Sequence, residues 1–87
     1  MLKVNTLLKI KDNIDLEKLK DFKFTTAQYE EYYRFMSEDE YLWVDKYSRR
    51  IDMTSPDYFC KFNRCKNIIN KLKQADMVEK VVEDERD

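Results

Sequence analysis

Glycine and histidine are both absent from this chain of 87 residues, and proline occurs only once. Without glycine the chain lacks the phosphate-binding loop, the dinucleotide-binding turn and the turn that presents a nucleophilic serine. Without histidine it lacks the usual general acid–base and the commonest ligand of transition metals. Carboxylate pairs such as Glu38 with Glu40 remain, but among 18 acidic residues such pairs are typical of a solvated surface. The sequence therefore predicts no enzyme, no cofactor and no metal site.

Cysteine is also scarce, since Cys60 and Cys65 are the only two. On one helix they would lie about 140° apart around the axis, too far apart for a disulfide. Two cysteines without histidine also fall short of the roughly four ligands of a zinc site. Lysines interrupt the first eleven residues, so these residues lack the continuous apolar region of a signal peptide. No apolar run reaches the length of about 18 residues that spans a membrane. These features predict free thiols, a cytoplasmic location and no membrane association.

The composition that remains is that of a folded protein. Charged residues make up 40% and hydrophobic residues 43% of the chain, and the formal net charge is only −1. Disordered chains combine low hydrophobicity with high net charge, which is a different composition. A chain of this length forms one domain. We expect a single domain over residues 1–82, followed by a frayed acidic tail over residues 83–87.

The first 24 residues predict a strand followed by a short helix. Apolar and β-branched side chains alternate with lysine and asparagine from residue 3 to residue 11, which is typical of a half-buried strand. Asp15 can then cap the amino end of a helix. The side chains expected to form the buried stripe of this helix are Leu16, Leu19 and Phe22.

Residues 29–54 hold five of the six tyrosines and the single tryptophan. The aromatic run at residues 32–35 favours a strand, although residues 25–28 resemble a capping box and leave a helix open for residues 25–36. Residues 41–44 and 49–53 predict a hairpin around a polar turn at residues 45–48. Because tight two-residue turns prefer glycine, we expect loops of about four residues.

The carboxyl-terminal third predicts a long amphipathic helix. Ser55 is a good N-cap, Pro56 a favoured first helical residue, and Asp57 complements the helix dipole. Apolar side chains then recur every three or four residues for at least five turns, and the helix either continues to Val82 or breaks near Asp76. The predicted fold is thus α+β: an amino-terminal strand and short helix, a small antiparallel sheet with a hairpin, and a long helix packed on the sheet.

A protein-binding surface is predicted around the hairpin. If Leu42 and Val44 face the long helix, Tyr41 and Trp43 point outward, and an exposed aromatic patch beside an acidic loop is typical of an interface. The alternative is plain packing beside a solvated turn. The predicted partner-binding residues are Tyr33, Glu38, Asp39, Glu40, Tyr41, Trp43 and Tyr47.

Residues 58–75 carry five basic side chains and no acidic one, which indicates an alternative function in nucleic-acid binding. Positive charge late in a helix also complements the helix dipole, and these positions point in several directions around the axis. A homo-oligomer is a further possibility. The residues of the alternative nucleic-acid site are Lys61, Arg64, Lys66, Lys71 and Lys73.

Two segments, DLEKLKDFKF at residues 15–24 and YLWVDKYSRRI at residues 41–51, resemble small accessory proteins of phages and mobile elements of low-GC Gram-positive bacteria. The first segment ends in Phe22-Lys23-Phe24, where the commoner ending is Gly-Phe. The resemblance implies a strand–helix–hairpin core and an inhibitor of a host defence complex, including the anti-CRISPR type. The expected partner is then a host protein or a protein–nucleic-acid complex, met in the host cytoplasm.

Overall fold

The computed structural model of the chain describes residues 2–81, so Val82 and the predicted tail at residues 83–87 lie outside the described residues. Within that range the fold is α+β: a five-stranded antiparallel sheet with the order β2-β3-β4-β1-β5, one α-helix and one 3₁₀ helix. The elements in chain order are β1 (Leu2–Ile10), the 3₁₀ helix (Leu16–Phe22), β2 (Tyr32–Ser37), β3 (Glu40–Asp45), β4 (Arg50–Ser55), α1 (Asn63–Gln74) and β5 (Val78–Lys80).

Strand β1 follows the predicted alternation but changes its pairing at a bulge. Its first half pairs with β4 from Leu2 opposite Ser55 onward, and its last three residues also pair with β5 on the other side. At the bulge, the Thr6 hydroxyl donates to the carbonyl of Ile51 at 2.6 Å. Leu7 there has a φ of 58°. The threonine side chain therefore replaces a backbone donor where the ladder is interrupted.

Strands β2, β3 and β4 form two consecutive hairpins, which confirms the predicted hairpin and the strand at residues 32–35. The second hairpin has the expected loop of four residues, and the Asp45 carboxylate accepts hydrogen bonds from the backbone N–H groups of Tyr47 and Ser48. The first has only Glu38 and Asp39 between its strands, so the expectation of a longer loop is wrong there. Glu38 takes the positive φ, at 53°, that glycine usually supplies in such turns.

The predicted long helix is wrong in both its start and its length, because α1 begins at Asn63 and has only 12 residues. Ser55 belongs to β4, and its hydroxyl accepts a hydrogen bond from the N–H of Asp57 at 3.0 Å. The Asp57 carboxylate in turn accepts from the N–H of Phe59 at 2.9 Å. Serine and aspartate side chains that bond to nearby backbone in this way compete with helix formation. Residues 56–62 therefore form turns between β4 and α1.

Helix α1 ends at Gln74, near the break that the sequence left open. The N–H of Met77 donates to the carbonyl of Leu72 at 3.1 Å, and the N–H of Asp76 donates to the carbonyl of Lys73 at 3.0 Å. These two bonds form a Schellman motif, in which Asp76 takes the left-handed position with a φ of 61°. The chain then enters β5, so neither a continued helix nor a second one forms over residues 78–80.

The short helix after β1 is a 3₁₀ helix. The Asp15 carboxylate accepts a hydrogen bond from the N–H of Glu17 at 2.9 Å, so the predicted cap is confirmed. A 3₁₀ helix has three residues per turn, which aligns Leu16, Leu19 and Phe22 in one row. Leu19 is fully buried, and Leu16 and Phe22 pack partly buried against the core.

One face of the sheet carries the hydrophobic core, and α1 and the 3₁₀ helix pack against this inner face. Burial alternates along the whole of β3 and along β4 from Arg50 to Met53, so that Leu42, Val44 and Ile51 are fully buried on the inner face. The intervening residues of these strands lie on the outer face, where the aromatic side chains discussed next are located. The core residues are Ile10, Leu19, Phe24, Tyr33, Phe35, Leu42, Val44, Ile51, Met53, Phe62, Cys65, Ile68, Ile69, Leu72 and Met77.

Candidate protein-binding face

Three aromatic side chains form a cluster on the outer face of the sheet. The ring of Tyr32 meets that of Trp43 edge-on, with the centroids 5.7 Å apart and the planes at 73°. Tyr41 lies on the other side of Trp43, at 6.1 Å and 36°. Leu42 and Val44 face the core, which agrees with the predicted outward orientation of Tyr41 and Trp43. We call Tyr32, Tyr41 and Trp43 the outer aromatic cluster.

The indole of Trp43 is held in place by a hydrogen bond across strands. Its Nε1–H donates to the hydroxyl of Thr54 at 2.7 Å. Thr54 lies in β4, where it pairs with Tyr41, while Trp43 pairs with Asp52. Because both bonded groups belong to a regular antiparallel pair, the sheet itself sets the orientation of the ring.

The outer aromatic cluster lines a shallow depression of about 480 Å³. Its surface is mainly apolar, and its charged groups come from β1 and β4. The Lys3 ammonium lies 3.9 Å from a carboxylate oxygen of Asp52. The residues that line the depression are Lys3, Tyr32, Tyr41, Trp43, Asp52 and Thr54.

The structure divides the seven predicted partner-binding residues among different places. Tyr41 and Trp43 lie on the outer face, and Glu38 and Asp39 form the turn at one end of β3. Tyr47 is 81% exposed but lies in the turn at the opposite end of that strand. The other two, Tyr33 and Glu40, are buried. A single continuous patch of these seven residues is therefore not formed.

Tyr33 is a core residue and has to be removed from the predicted surface. It is 4% exposed, its hydroxyl donates to the Glu17 carboxylate, and the Lys46 ammonium lies 5.4 Å from its ring centroid. Burial, reinforced by the hydrogen bond to Glu17, raises the pKa of Tyr33 to about 12. The pKa of the Glu17 carboxyl is lowered, first by its hydrogen bond with Lys20 and then by that with Tyr33.

Glu40 is the second correction, because it caps helix α1. It is 4% exposed, and one carboxylate oxygen accepts from the backbone N–H groups of Arg64 at 2.9 Å and Cys65 at 3.0 Å. Phe62 occupies the N-cap position and offers no side-chain acceptor. A carboxylate at a helix amino end is favoured by the helix dipole as well as by these bonds. Glu40 therefore connects the first hairpin to α1, and it does not belong to the solvated loop that the sequence suggested.

Side chains of Asp39, Glu40 and Cys60 bring three potential metal ligands within 4.8 Å of one another. Two of the three ligands, Glu40 and Cys60, already have other contacts, and a positive charge lies beside Glu40. Glu40 caps α1, the Cys60 sulfur accepts from the N–H of Phe62 at 3.3 Å, and the Arg64 guanidinium lies 3.6 Å from Glu40. A cation would have to displace these contacts beside a positive charge, so we assign no metal to this cluster.

Both cysteines are free thiols, as expected. Cys65 is fully buried, and burial, together with the neighbouring Glu40 carboxylate, raises its pKa to about 12. A thiol becomes nucleophilic only as the thiolate, so a raised pKa makes Cys65 inert at neutral pH. Cys65 is therefore a packing residue of α1.

The five basic residues of the alternative nucleic-acid site do not form one stripe. At 100° per residue, Arg64 and Lys71 lie on one flank of α1 and Lys66 and Lys73 on the other. Lys61 precedes the helix. The Arg64 guanidinium is engaged by Glu38 at 3.0 Å and by Glu40 at 3.6 Å. Positive charge is thus split around the helix and partly neutralised.

Residues that the sequence reasoning missed are Tyr32, Lys3, Asp52 and Thr54. Tyr32 could have been found from the phase of β2, because Phe35 and Tyr33 must share the inner face and Tyr32 must then lie outside. Lys3, Asp52 and Thr54 join the site only through the pairing of β1 with β4 and of β4 with β3. No local pattern in the sequence predicts those pairings.

No protein-family model, curated protein or solved structure matches this chain. In the part of the chain that the structure describes, no helix is long and apolar enough to cross a membrane. A function for the outer face has to be inferred from its own geometry.

Proposed function

We propose that this protein is a non-catalytic protein-binding module whose docking surface is the outer face of strands β2, β3 and β4. The observation that carries the proposal is the outer aromatic cluster. These three side chains lie on the face opposite to α1 and the 3₁₀ helix. The side chain of Tyr32 is 45% exposed, and those of Tyr41 and Trp43 are partly exposed. Adjacent aromatic side chains that line a depression are typical of the central anchors of an interface.

The charges around the outer aromatic cluster also support a protein partner. Lys3 and Arg34 are positive, Asp45 and Asp52 are negative, and all four lie on or beside the same face. Interfaces between proteins commonly combine an apolar centre with a rim of both charge signs. A partner whose rim carries complementary charges can bury the aromatic rings without leaving an unpaired charge removed from water.

A nucleic-acid partner is less well supported by the arrangement of the same groups. Proteins that bind single strands combine aromatic stacking surfaces with a positively charged groove that follows the backbone. Here the basic flanks belong to α1, which packs on the inner face, whereas the aromatic cluster lies on the outer face. The basic flanks of α1 and the aromatic rings therefore fall on different sides of the molecule, and the basic side chains beside the rings, Lys3 and Arg34, are paired with Asp52 and Glu30.

A narrower form of the proposal is an inhibitor, encoded by a phage, of a bacterial defence complex of the anti-CRISPR type. Its support is the resemblance of residues 15–24 and 41–51 to such accessory proteins. In this form the partner is a host protein or a protein–nucleic-acid complex. The outer aromatic cluster would then occupy a surface that the host complex needs for its own activity.

The proposal is tested by affinity capture from a low-GC Gram-positive lysate, with and without nuclease, followed by mass spectrometry. The bait is compared with the double variant Tyr41→Ala/Trp43→Ala and with the matched control Tyr29→Ala/Tyr47→Ala. The control removes two tyrosines that are 90% and 81% exposed but lie outside the depression. Circular dichroism verifies that all three proteins are folded.

We expect a stoichiometric protein that survives nuclease, is retained by the control and is lost by the double variant. Equal retention by both variants would remove the outer face from the function. Recovery that depends on nuclease-sensitive material would instead favour the basic flanks of α1, and such binding should weaken steeply with salt. A mass that rises with concentration in sedimentation experiments would identify a second copy of the chain as the partner.

A further inference from the structure

The three rings of the outer aromatic cluster all line the depression. Tyr32 and Trp43 meet edge to face, with their ring planes at 73°. Tyr41 lies on the far side of Trp43 and extends the aromatic surface. Each ring has a negative face, and an accessible face of this kind attracts a cation.

A carboxylate completes this arrangement. Asp52 pairs directly with Trp43 across the β3–β4 ladder, and its partly buried side chain lines the same depression. The only ion pair of Asp52 among the described residues is the one with Lys3, at 3.9 Å. Lys3 is well exposed, and an exposed ion pair of this length contributes little stability. The carboxylate is thus available to a better-placed cation.

We propose that this depression binds an arginine side chain presented by the partner protein. The inference deepens the proposed function and rests on it. The guanidinium would stack against the aromatic rings, while its N–H groups donate to the Asp52 carboxylate. A planar guanidinium can make both interactions at once, because its faces are free for stacking while its edge donates two parallel hydrogen bonds.

Arginine fits this site better than lysine for two reasons. A lysine ammonium is a compact and strongly hydrated charge, whereas a guanidinium is less hydrated and loses less on entering an apolar depression. The depression of about 480 Å³ is also larger than an ammonium group needs. The protein's own Lys3 already offers an ammonium to Asp52 from the rim, so an entering guanidinium would displace it.

The test is a titration of the full chain followed by nuclear magnetic resonance. The probe is the capped tripeptide acetyl-Gly-Arg-Gly-amide, and its matched control replaces arginine by citrulline, which has nearly the same shape without the charge. Trp43 is the only tryptophan, so its indole N–H gives a single resonance that reports directly on the site. We expect a saturable shift of this resonance with the arginine peptide and about tenfold weaker binding of the citrulline peptide.

Two substitutions should move the affinity in opposite directions. Asp52→Asn should weaken binding of the arginine peptide about fivefold or more, because it removes the charge that the guanidinium meets. Lys3→Gln should strengthen it about twofold, because it removes the competing ammonium. Asp12→Asn makes the same chemical change at an exposed site outside the depression and should leave the affinity unchanged.

Equal binding of the arginine and citrulline peptides, or no saturable shift with either, would overturn the proposal. Tighter binding of a thymidine oligonucleotide at the same indole resonance would assign the depression to nucleobases instead. The experiments also distinguish failure of the arginine proposal from failure of the proposed docking surface. Partner capture that depends on Trp43 while the arginine peptide fails to bind would leave the docking surface intact and remove only the arginine.

Discussion

Tyr32 and Tyr33 are neighbours in the chain, yet they lie on opposite faces of the sheet. Tyr33 is 4% exposed, donates a hydrogen bond to Glu17 and packs within the core. Tyr32 is 45% exposed, and its ring and that of Trp43 meet edge to face on the outer face of the sheet. Aromatic content alone therefore does not identify a binding surface in this chain. The phase of strand β2 decides which of the two tyrosine rings packs in the core.

The same contrast holds for the two faces as a whole. Inner-face side chains of β3 and β4 are fully buried, and each such aliphatic side chain stabilises the fold by about 1.5–3 kcal/mol through burial. Outer-face rings keep part of their area in water and therefore contribute less. Substitutions on the inner face should lower stability, and substitutions on the outer face should lower partner binding.

The largest effect is expected for Leu42→Ala. Leu42 is fully buried on the inner face of β3, and its removal leaves a cavity beside α1. We expect a loss of about 2–5 kcal/mol in the free energy of unfolding. Urea denaturation followed by circular dichroism measures it. If Trp43→Ala, one residue away, costs as much as Leu42→Ala, the contrast between the faces is broken.

A smaller loss is expected for Glu40→Ala. The carboxylate accepts from two N–H groups at the start of α1, and its removal leaves both without this acceptor. We expect a loss of about 1.5–3 kcal/mol in the free energy of unfolding, as for hydrogen bonds to a buried charged group. Glu38→Ala is the control, because its exposed ion pair with Arg64 should change stability by less than about 1 kcal/mol. Equal effects of the two substitutions would remove Glu40 as the helix cap.

Tyr33→Phe should remove one partly buried hydrogen bond and cost about 1 kcal/mol at neutral pH. Tyr32→Phe should have no measurable effect on stability. The folded-state pKa of Tyr33 is raised from 10.0 to about 12, so the folded state holds this proton more tightly than the unfolded chain. The stability that results is complete below pH 10 and is lost as the pH rises towards 12. Urea titrations between these pH values should therefore show a smaller alkaline loss for Tyr33→Phe than for the original chain.

A small effect on stability, no larger than that of Tyr33→Phe, is expected for Trp43→Phe. This change keeps an aromatic ring but removes the indole N–H that donates to Thr54. Because the bond is only partly buried, we expect a loss of at most about 1 kcal/mol in the free energy of unfolding. Partner affinity should fall more clearly, because the ring loses its fixed orientation. A large loss of stability with unchanged affinity would reverse the assignment of Trp43 to the outer face.

Much of the sheet could be predicted from the sequence, because strand signals are local. Alternation gave β1, and the aromatic and β-branched runs gave β2, β3 and β4. Strand β5 was missed, because its three residues continue an apolar spacing that also fits a helix. The start of α1 was misplaced because Ser55 and Pro56 are a good helix start in isolation. In the fold, Ser55 pairs with Leu2 at the far end of the chain.

The turns were harder to predict for a reason specific to this composition. In the described part of the chain, six residues other than glycine have positive φ, each at a cost of roughly 1–2 kcal/mol. Without glycine, these positions carry no mark in the sequence. The residues are Leu7, Lys23, Glu38, Arg49, Phe62 and Asp76.

The candidate site was predictable only in part. Tyr41 and Trp43 follow from alternation on one strand, whereas Lys3 and Asp52 join them through pairings between distant segments. The roles of Glu40 and Tyr33 depend on contacts with α1 and the 3₁₀ helix, which a local pattern does not reveal. Long-range packing therefore separated residues that the sequence had grouped together.

The most direct test of the account is partner retention by Tyr41→Ala/Trp43→Ala in the affinity capture described above. We predict that this variant remains folded by circular dichroism and loses the partner, while Tyr29→Ala/Tyr47→Ala keeps it. A folded double variant that retains the partner as well as the original chain does would contradict the assignment of the outer face to binding.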